Sequence, residues 1–159
     1  MAFQIKRTTA EWGVINIREE GRGQGDKVEA HDIPFTISGG PELLDQVITY
    51  DQVGENLSEH LFDSEDGRVL IPGAELLAKH KQEGLTITVW DQKDPIVLKE
   101  AKIQEPKIKL YSPNQVTLAS KIQIAEPSDE LVNRFRHLRG EVADLEITAD
   151  QSDMFDEDD

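Results

Sequence analysis

The sequence predicts a β-rich α+β fold: antiparallel sheet or sheets, two or three short helices, and a disordered acidic C-terminal tail. Three observations carry that expectation. Runs with apolar residues at alternate positions recur from residue 3 to 37 and again from 85 to 147, the period of half-buried strands. Helix signals are confined to a few short segments, too irregularly placed for a parallel doubly wound sheet. From Asp150 onward there are six carboxylates and no base, a composition that cannot offset the entropy of ordering.

FQIKRTT opens the chain as a strand, and EWGVINIREE follows with Trp12, Val14, Ile15 and Ile17 as its apolar set. DKVEAHDIPFTISGG is the third strand. Glycines 21, 23 and 25 in the connection permit the positive φ angles of a long loop, so 11–37 reads as an antiparallel hairpin. Pro34 predicts an edge strand or a bulge there. Pro41 and Glu42 then open a helix over PELLDQVI, because proline is preorganised for the first helical position and an acid suits the first turn. GAELLAKHKQ reads as a second helix, ended by Gly84.

LTITVW, PIVLKEAKI, PKIKLY and QVTLASKIQI are strands again, separated by turns at WDQKDP, QEP and YSPNQ. EPSDELVNRFRHLRG is the best-marked helix. Ser128 is its N-cap, Asp129 and Glu130 lie in its first turn, and Gly140 is its stop. Its apolar stripe is Leu131, Val132, Phe135 and Leu138, and EVADLEI returns to the sheet. No internal repeat is evident.

A chain of 159 residues supports one ordinary core. The expected organisation is a body over 1–148, with 1–84 and 85–148 as alternative sub-lobes, and a tail over 149–159. There are 17 Lys and Arg against 32 Asp and Glu, a net charge of −15, and the residues before Asp150 still carry −9. Such a body does not hold nucleic acid over its whole surface, although a local basic strip remains open to it. Absence of cysteine excludes disulfides, thiolate metal sites and a cysteine nucleophile, and suits a reducing compartment. No apolar run has the length of a signal peptide or a membrane span, so a cytoplasmic protein without membrane partners is expected.

Catalytic and cofactor motifs are weak. His31 shares a strand face with Glu29 and adjoins Asp32, but two ligands on a strand read as surface rather than as a metal centre. FDSEDGRV lacks the oxygen-ligand spacing of a calcium loop and reads as an acidic turn. GRGQG is followed by Asp26 and a strand instead of a helix, which rules against a nucleotide cradle. No Gly-x-Ser-x-Gly elbow occurs. The expectation is a non-enzymatic protein with no cofactor and no metal.

Two segments point to partners. Between Lys99 and Arg139 eight bases face five acids, a local excess in an acidic chain. Within it Lys107, Lys109 and Tyr111 alternate onto one strand face, and Lys121, Arg134, Arg136 and Arg139 complete a candidate nucleic-acid contact set. The alternative is that the lysines guard a sheet edge and the arginines complement a helix dipole.

The other segment is Gln151-Ser152-Asp153-Met154-Phe155. It resembles the short peptide by which bacterial polymerases, repair proteins and clamp-loader subunits bind the DNA sliding clamp, commonly Gln-Leu-(Ser or Asp)-Leu-Phe. Ser152 is the departure from that pattern. The resemblance implies that Gln151 meets the polar rim of the clamp pocket while Met154 and Phe155 fill its apolar cleft. The function expected is that of a clamp-docking accessory protein in DNA replication, recombination or repair, of bacteriophage type. One alternative is a single-stranded DNA-binding protein with an acidic partner-recruiting tail. Another is an acidic DNA mimic that uses the base-free run over 42–66 to inhibit a host DNA enzyme. Oligomeric state is left open.

Overall fold

The computed structural model describes residues 4–22, 26–47, 58–71, 75–77, 83–91 and 94–149. In chain order the elements are β1 (Ile5–Trp12), β2 (Asn16–Arg22), β3 (Asp26–Gly39), α1 (Pro41–Val47), α2 (Ser58–Leu61), β4 (Glu75–Leu77), β5 (Leu85–Trp90), β6 (Ile96–Ile103), β7 (Lys107–Tyr111), β8 (Gln115–Ala125), α3 (Asp129–Arg136) and β9 (Val142–Ala149). The β-rich, antiparallel class is as expected. Ala149, the first residue assigned to the tail, ends β9, and 150–159 lie outside the described residues.

The sheet is ordered β2-β3-β1-β9-β5-β6-β8-β7-β4, and β3 also pairs with β8. That extra ladder closes β3, β1, β9, β5, β6 and β8 into an antiparallel barrel, with β2 and the β7-β4 pair as flaps. Closure removes the exposed edges that an open sheet would have to protect. Strands from both sides of residue 84 share this one ring, since β1 pairs with β9 and β3 with β8.

The barrel has a pseudo-two-fold repeat that is invisible in the residue string. One half is β1-β2-β3-α1-β5 and the other is β6-β7-β8-α3-β9, with α2 and β4 inserted in the first. Like strands meet at the axis: β3 lies antiparallel to β8, with Pro34 opposite Lys121, and β5 lies antiparallel to β9. Ile5 and Ala10 of β1 match Ile96 and Ala101 of β6, all four buried. The Gly13 amide donates to the Pro34 carbonyl at 2.9 Å, and its counterpart, Gln104, donates to the Lys121 carbonyl at 3.0 Å. Each half also carries a bulge in its first strand, in β1 between Ile5 and Thr8 and in β6 between Leu98 and Ala101.

Both long strands change partners midway. One edge of β3 pairs with β2 over Asp26–Asp32 and with β1 over Phe35–Ile37. Pro34 stands at that junction. Its carbonyl accepts from Gly13, so its missing N–H falls on the same edge, between the two ladders. The proline therefore marks a change of neighbour in a central strand, rather than the edge or bulge that its residue type predicts. The expected second strand also divides, because β1 runs through Trp12 and β2 begins only at Asn16.

Alternating residues of the barrel strands fill its interior. Ile5, Ala10, Ile33, Phe35, Ile37, Ile87, Leu118, Ile122, Leu145 and Ile147 are each 2 % exposed or less. Two of the three described helices, α1 and α3, plug opposite ends. α1 inserts Leu43, Leu44 and Val47 near the start of β1, where the Lys6 amide donates to Gln46 Oε1 at 2.9 Å. α3 inserts Phe135, whose ring centroid lies 5.8 Å from Trp12, which is in turn 5.9 Å from Phe35. Trp12 Nε1–H donates to the Ala143 carbonyl at 3.2 Å, so the indole is buried without an unmet donor. The Ser128 side chain caps α3 by accepting from the Leu131 amide at 3.2 Å, as its residue type predicts.

One local expectation fails, and one short helix was not anticipated. Glu75–Leu77, inside the segment read as a second helix, is instead β4, paired with β7 as Glu75↔Lys109, Leu76↔Ile108 and Leu77↔Lys107. Local helix propensity is a weak prior, and here an unfilled edge of β7 overrides it. The short helix α2 had no clear sequence signal. It is held by Asp45 of α1, whose carboxylate accepts from the Ser58 amide at 3.1 Å and from the Ser58 hydroxyl at 2.7 Å.

FDSEDGRV is a turn, as predicted. Phe62 and Val69 bridge across it, and the Asp63 carboxylate accepts from the Glu65 amide at 2.8 Å. Gly67 has φ +73°, and a Cβ there would lie 2.2 Å from Asn114 Nδ2. Gly67→Ala is therefore expected to cost about 1–2 kcal/mol, read as a lower urea midpoint at unchanged m-value.

Candidate functional site

The seven residues of the candidate nucleic-acid set separate into two groups. Lys107, Lys109 and Tyr111 are exposed on one face of β7, whose intervening Ile108 and Leu110 are buried. Cross-strand partners Ala119, Thr117 and Gln115 put the outward residues of β8 on the same face, and Lys121 continues that row. Lys102 of β6 stands beside it, opposite Gln123 of β8, with Nζ 3.5 Å from Glu83 Oε1. Arg134 and Arg136 of α3 and Arg139 beyond it lie past the other end of β8. From Thr117 to Ala125 the strand alone spans roughly 25 Å.

Arg134 is committed to the fold. Its guanidinium takes Asp91 in a bidentate grip, with Nε to Oδ2 at 3.2 Å and Nη2 to Oδ1 at 3.1 Å, and it also donates to the Asp94 carbonyl. Asp91 is only 11 % exposed, so this pair fastens α3 to the end of β5. Arg136 and Arg139 are exposed. Beside them a cleft of about 510 Å³ is lined by Trp90, Asp91, Arg134, His137, Leu138 and Val142. A sequence reading missed it, since Asp91 and Arg134 lie far apart in the chain.

The strand lysines have a sequence signal that a count over a wider window blurs. From Pro106 to Ala125 there is no Asp or Glu, in a chain with 32 of them. No described carboxylate forms an ion pair with Lys107, Lys109 or Lys121. Glu75 of β4 stands opposite Lys109 in register, at the rim of the face.

His31 and Glu29 do share a face, with Nε2 to Oε1 at 3.5 Å. The His31 side chain is 8 % exposed and lies beneath α3 among Ile15, Ile33, Ile124 and Leu131. Its Nδ1 is buried with no hydrogen-bond partner. Asp32 points the other way, where Arg18 Nε donates to Oδ1 and Oδ2 at 3.1 and 2.9 Å. No group of three or more potential metal ligands occurs among the described residues. His31→Leu is expected to hold or raise stability, by up to about 1 kcal/mol, because an unmet buried nitrogen is replaced by apolar volume. A urea titration at neutral pH reads this.

On the β1-β9-β5 side, Arg7 lies 4.0 Å over the Trp90 ring and donates from Nε to Asp144 Oδ2 at 2.9 Å. That hydrogen bond, with one from Thr9 and the Arg7 charge, outweighs desolvation and holds the Asp144 carboxyl below its ordinary 3.8. A depressed folded-state value means stabilisation that is complete above about pH 4 and is lost as pH falls through the lower folded value. The wild type is therefore expected to lose more stability than Asp144→Asn between neutrality and pH 3. For so exposed a pair the difference is below about 1 kcal/mol.

The clamp-binding residues Gln151, Ser152, Asp153, Met154 and Phe155 lie outside the described residues, as does His80. Of the acidic run over 42–66, Asp45 and Asp63 are engaged in the local hydrogen bonds given above, and residues 48–57 lie outside the described set. No described helix is long and apolar enough to cross a membrane. Comparison with protein-family models, with curated proteins and with solved structures yields no match.

Proposed function

We propose that this chain is a non-enzymatic accessory protein of DNA replication, recombination or repair that docks on a bacterial sliding clamp through Gln151–Phe155. The observation that carries the reading is the pentapeptide itself, which combines a glutamine, an acid, an aliphatic and an aromatic residue in the order of known clamp ligands. Its position supports the reading. Asp150 alone separates it from Ala149, the last residue of β9, a strand paired on both edges. The barrel thus provides a fixed anchor immediately before the ligand.

Burying the Met154 and Phe155 side chains is worth about 3–6 kcal/mol before the ordering of the peptide is subtracted. These two anchors alone supply a Kd no tighter than roughly tens of micromolar, which suits weak, reversible recruitment. The test is a calorimetric titration of purified clamp with the full chain and with Phe155→Ala. Loss of the ring is expected to weaken binding at least tenfold, because a short peptide concentrates its energy in its anchors. Equal affinity of the two proteins would overturn the assignment.

A further inference from the structure

We propose that the outward face of β7 and β8 is a binding site for single-stranded nucleic acid, with Lys107, Lys109 and Lys121 contacting phosphates and Tyr111 stacking on a base. The site is independent of the clamp ligand. Four observations converge on it. Lys107 and Lys109 stand at alternate strand positions, about 6.8 Å apart, so both ammonium groups project from one side. Lys121 adds a third charge one strand away, beyond Ala119, the cross-strand partner of Lys107. Tyr111 extends the same row and is 47 % exposed, far more than a tyrosine needs for packing. The floor between them is Ala119, Thr117 and Gln115, low and uncharged.

Charge complementarity selects the ligand class. Acids make up a fifth of this chain, yet the segment from Pro106 to Ala125 contains none, so a polyanion meets no repulsion from either strand of this face. The exposed ring then favours nucleic acid over an acidic protein, since an aromatic platform at the end of a row of lysines offers a base a partner and offers a glutamate side chain nothing. It favours a single strand over a duplex, whose bases are already stacked. The arginines beyond the far end of β8 are no part of the site.

The test uses the full chain and a fluorescein-labelled oligothymidylate of about 16 nucleotides, followed by anisotropy at several salt concentrations. Wild-type binding is expected to weaken with salt. Lys107→Gln/Lys109→Gln/Lys121→Gln should bind at least tenfold more weakly, with the slope of log K against log salt reduced by about 2. Tyr111→Ala should lose about tenfold at unchanged slope, and Tyr111→Phe should restore the loss. Thermal melts of each variant matching the wild type exclude unfolding as the cause. Absence of wild-type binding at low salt would overturn the proposal, as would loss carried instead by Arg136→Gln/Arg139→Gln. Displacement of the oligonucleotide by polyglutamate at equal charge concentration would overturn the nucleic-acid assignment. Phe155→Ala is expected to leave this binding unchanged, so the outcome here is separable from that of the clamp titration.

Discussion

Phe135→Ala is expected to destabilise the protein by about 3–5 kcal/mol, the largest loss from any single truncation on α3. Phe135 is 1 % exposed and its ring rests on Trp12, which in turn rests on Phe35. Removing it leaves a void at the mouth of the barrel that the neighbouring strands cannot close, because β1 and β3 are fixed by ladders on both edges. The helix is also tethered by the Arg134–Asp91 pair, which holds it over the void and opposes collapse. Urea unfolding followed by tryptophan fluorescence reads the loss directly, since Trp12 is the contacted residue. A cost below about 1 kcal/mol would mean that the barrel end closes without its helical plug.

The second large effect belongs to Arg18. Asp32 has a side chain only 3 % exposed, and Arg18 offers it a hydrogen bond to each oxygen. Arg18→Met strands a carboxylate in the sheet, at an expected cost of about 3 kcal/mol, the low end for a broken buried pair because the guanidinium is 31 % exposed. Arg18→Met/Asp32→Leu should recover most of that loss, since the penalty arises from the uncompensated charge rather than from any large net gain of the pair. If the double variant is no more stable than the single one, the pair contributes through specific geometry that apolar packing cannot replace.

Much of the fold was legible wherever its cause is local. Ser128, Asp129, Glu130 and the Val132–Phe135–Leu138 stripe specify α3 within a dozen residues, and Pro41 and Glu42 do the same for α1. Strand alternation correctly placed Lys107, Lys109 and Tyr111 on one face. The failures are all long-range. Closure depends on the β3–β8 ladder, which joins residues almost a whole half apart and leaves no trace in either strand taken singly. GAELLAKHKQ has good helix formers throughout, and only the presence of β7 beside it makes Glu75–Leu77 extended. Arg134 looked available because its partner Asp91 sits on another element. The two-fold relation lies in the backbone pairing, and few residue types repeat with it, as Pro34 opposite Lys121 illustrates.

The pairing of β1 with β9 has a consequence for the making of the protein. β1 is synthesised long before β9 and has to wait for it before its second edge is covered. Until then β1 and β5 both present unpaired backbone to other nascent chains, and a polypeptide halted before Val142 would be an open, sticky sheet. Closure of this barrel therefore waits on the synthesis of β9, and products truncated before it should be found with aggregates and chaperones rather than as soluble fragments.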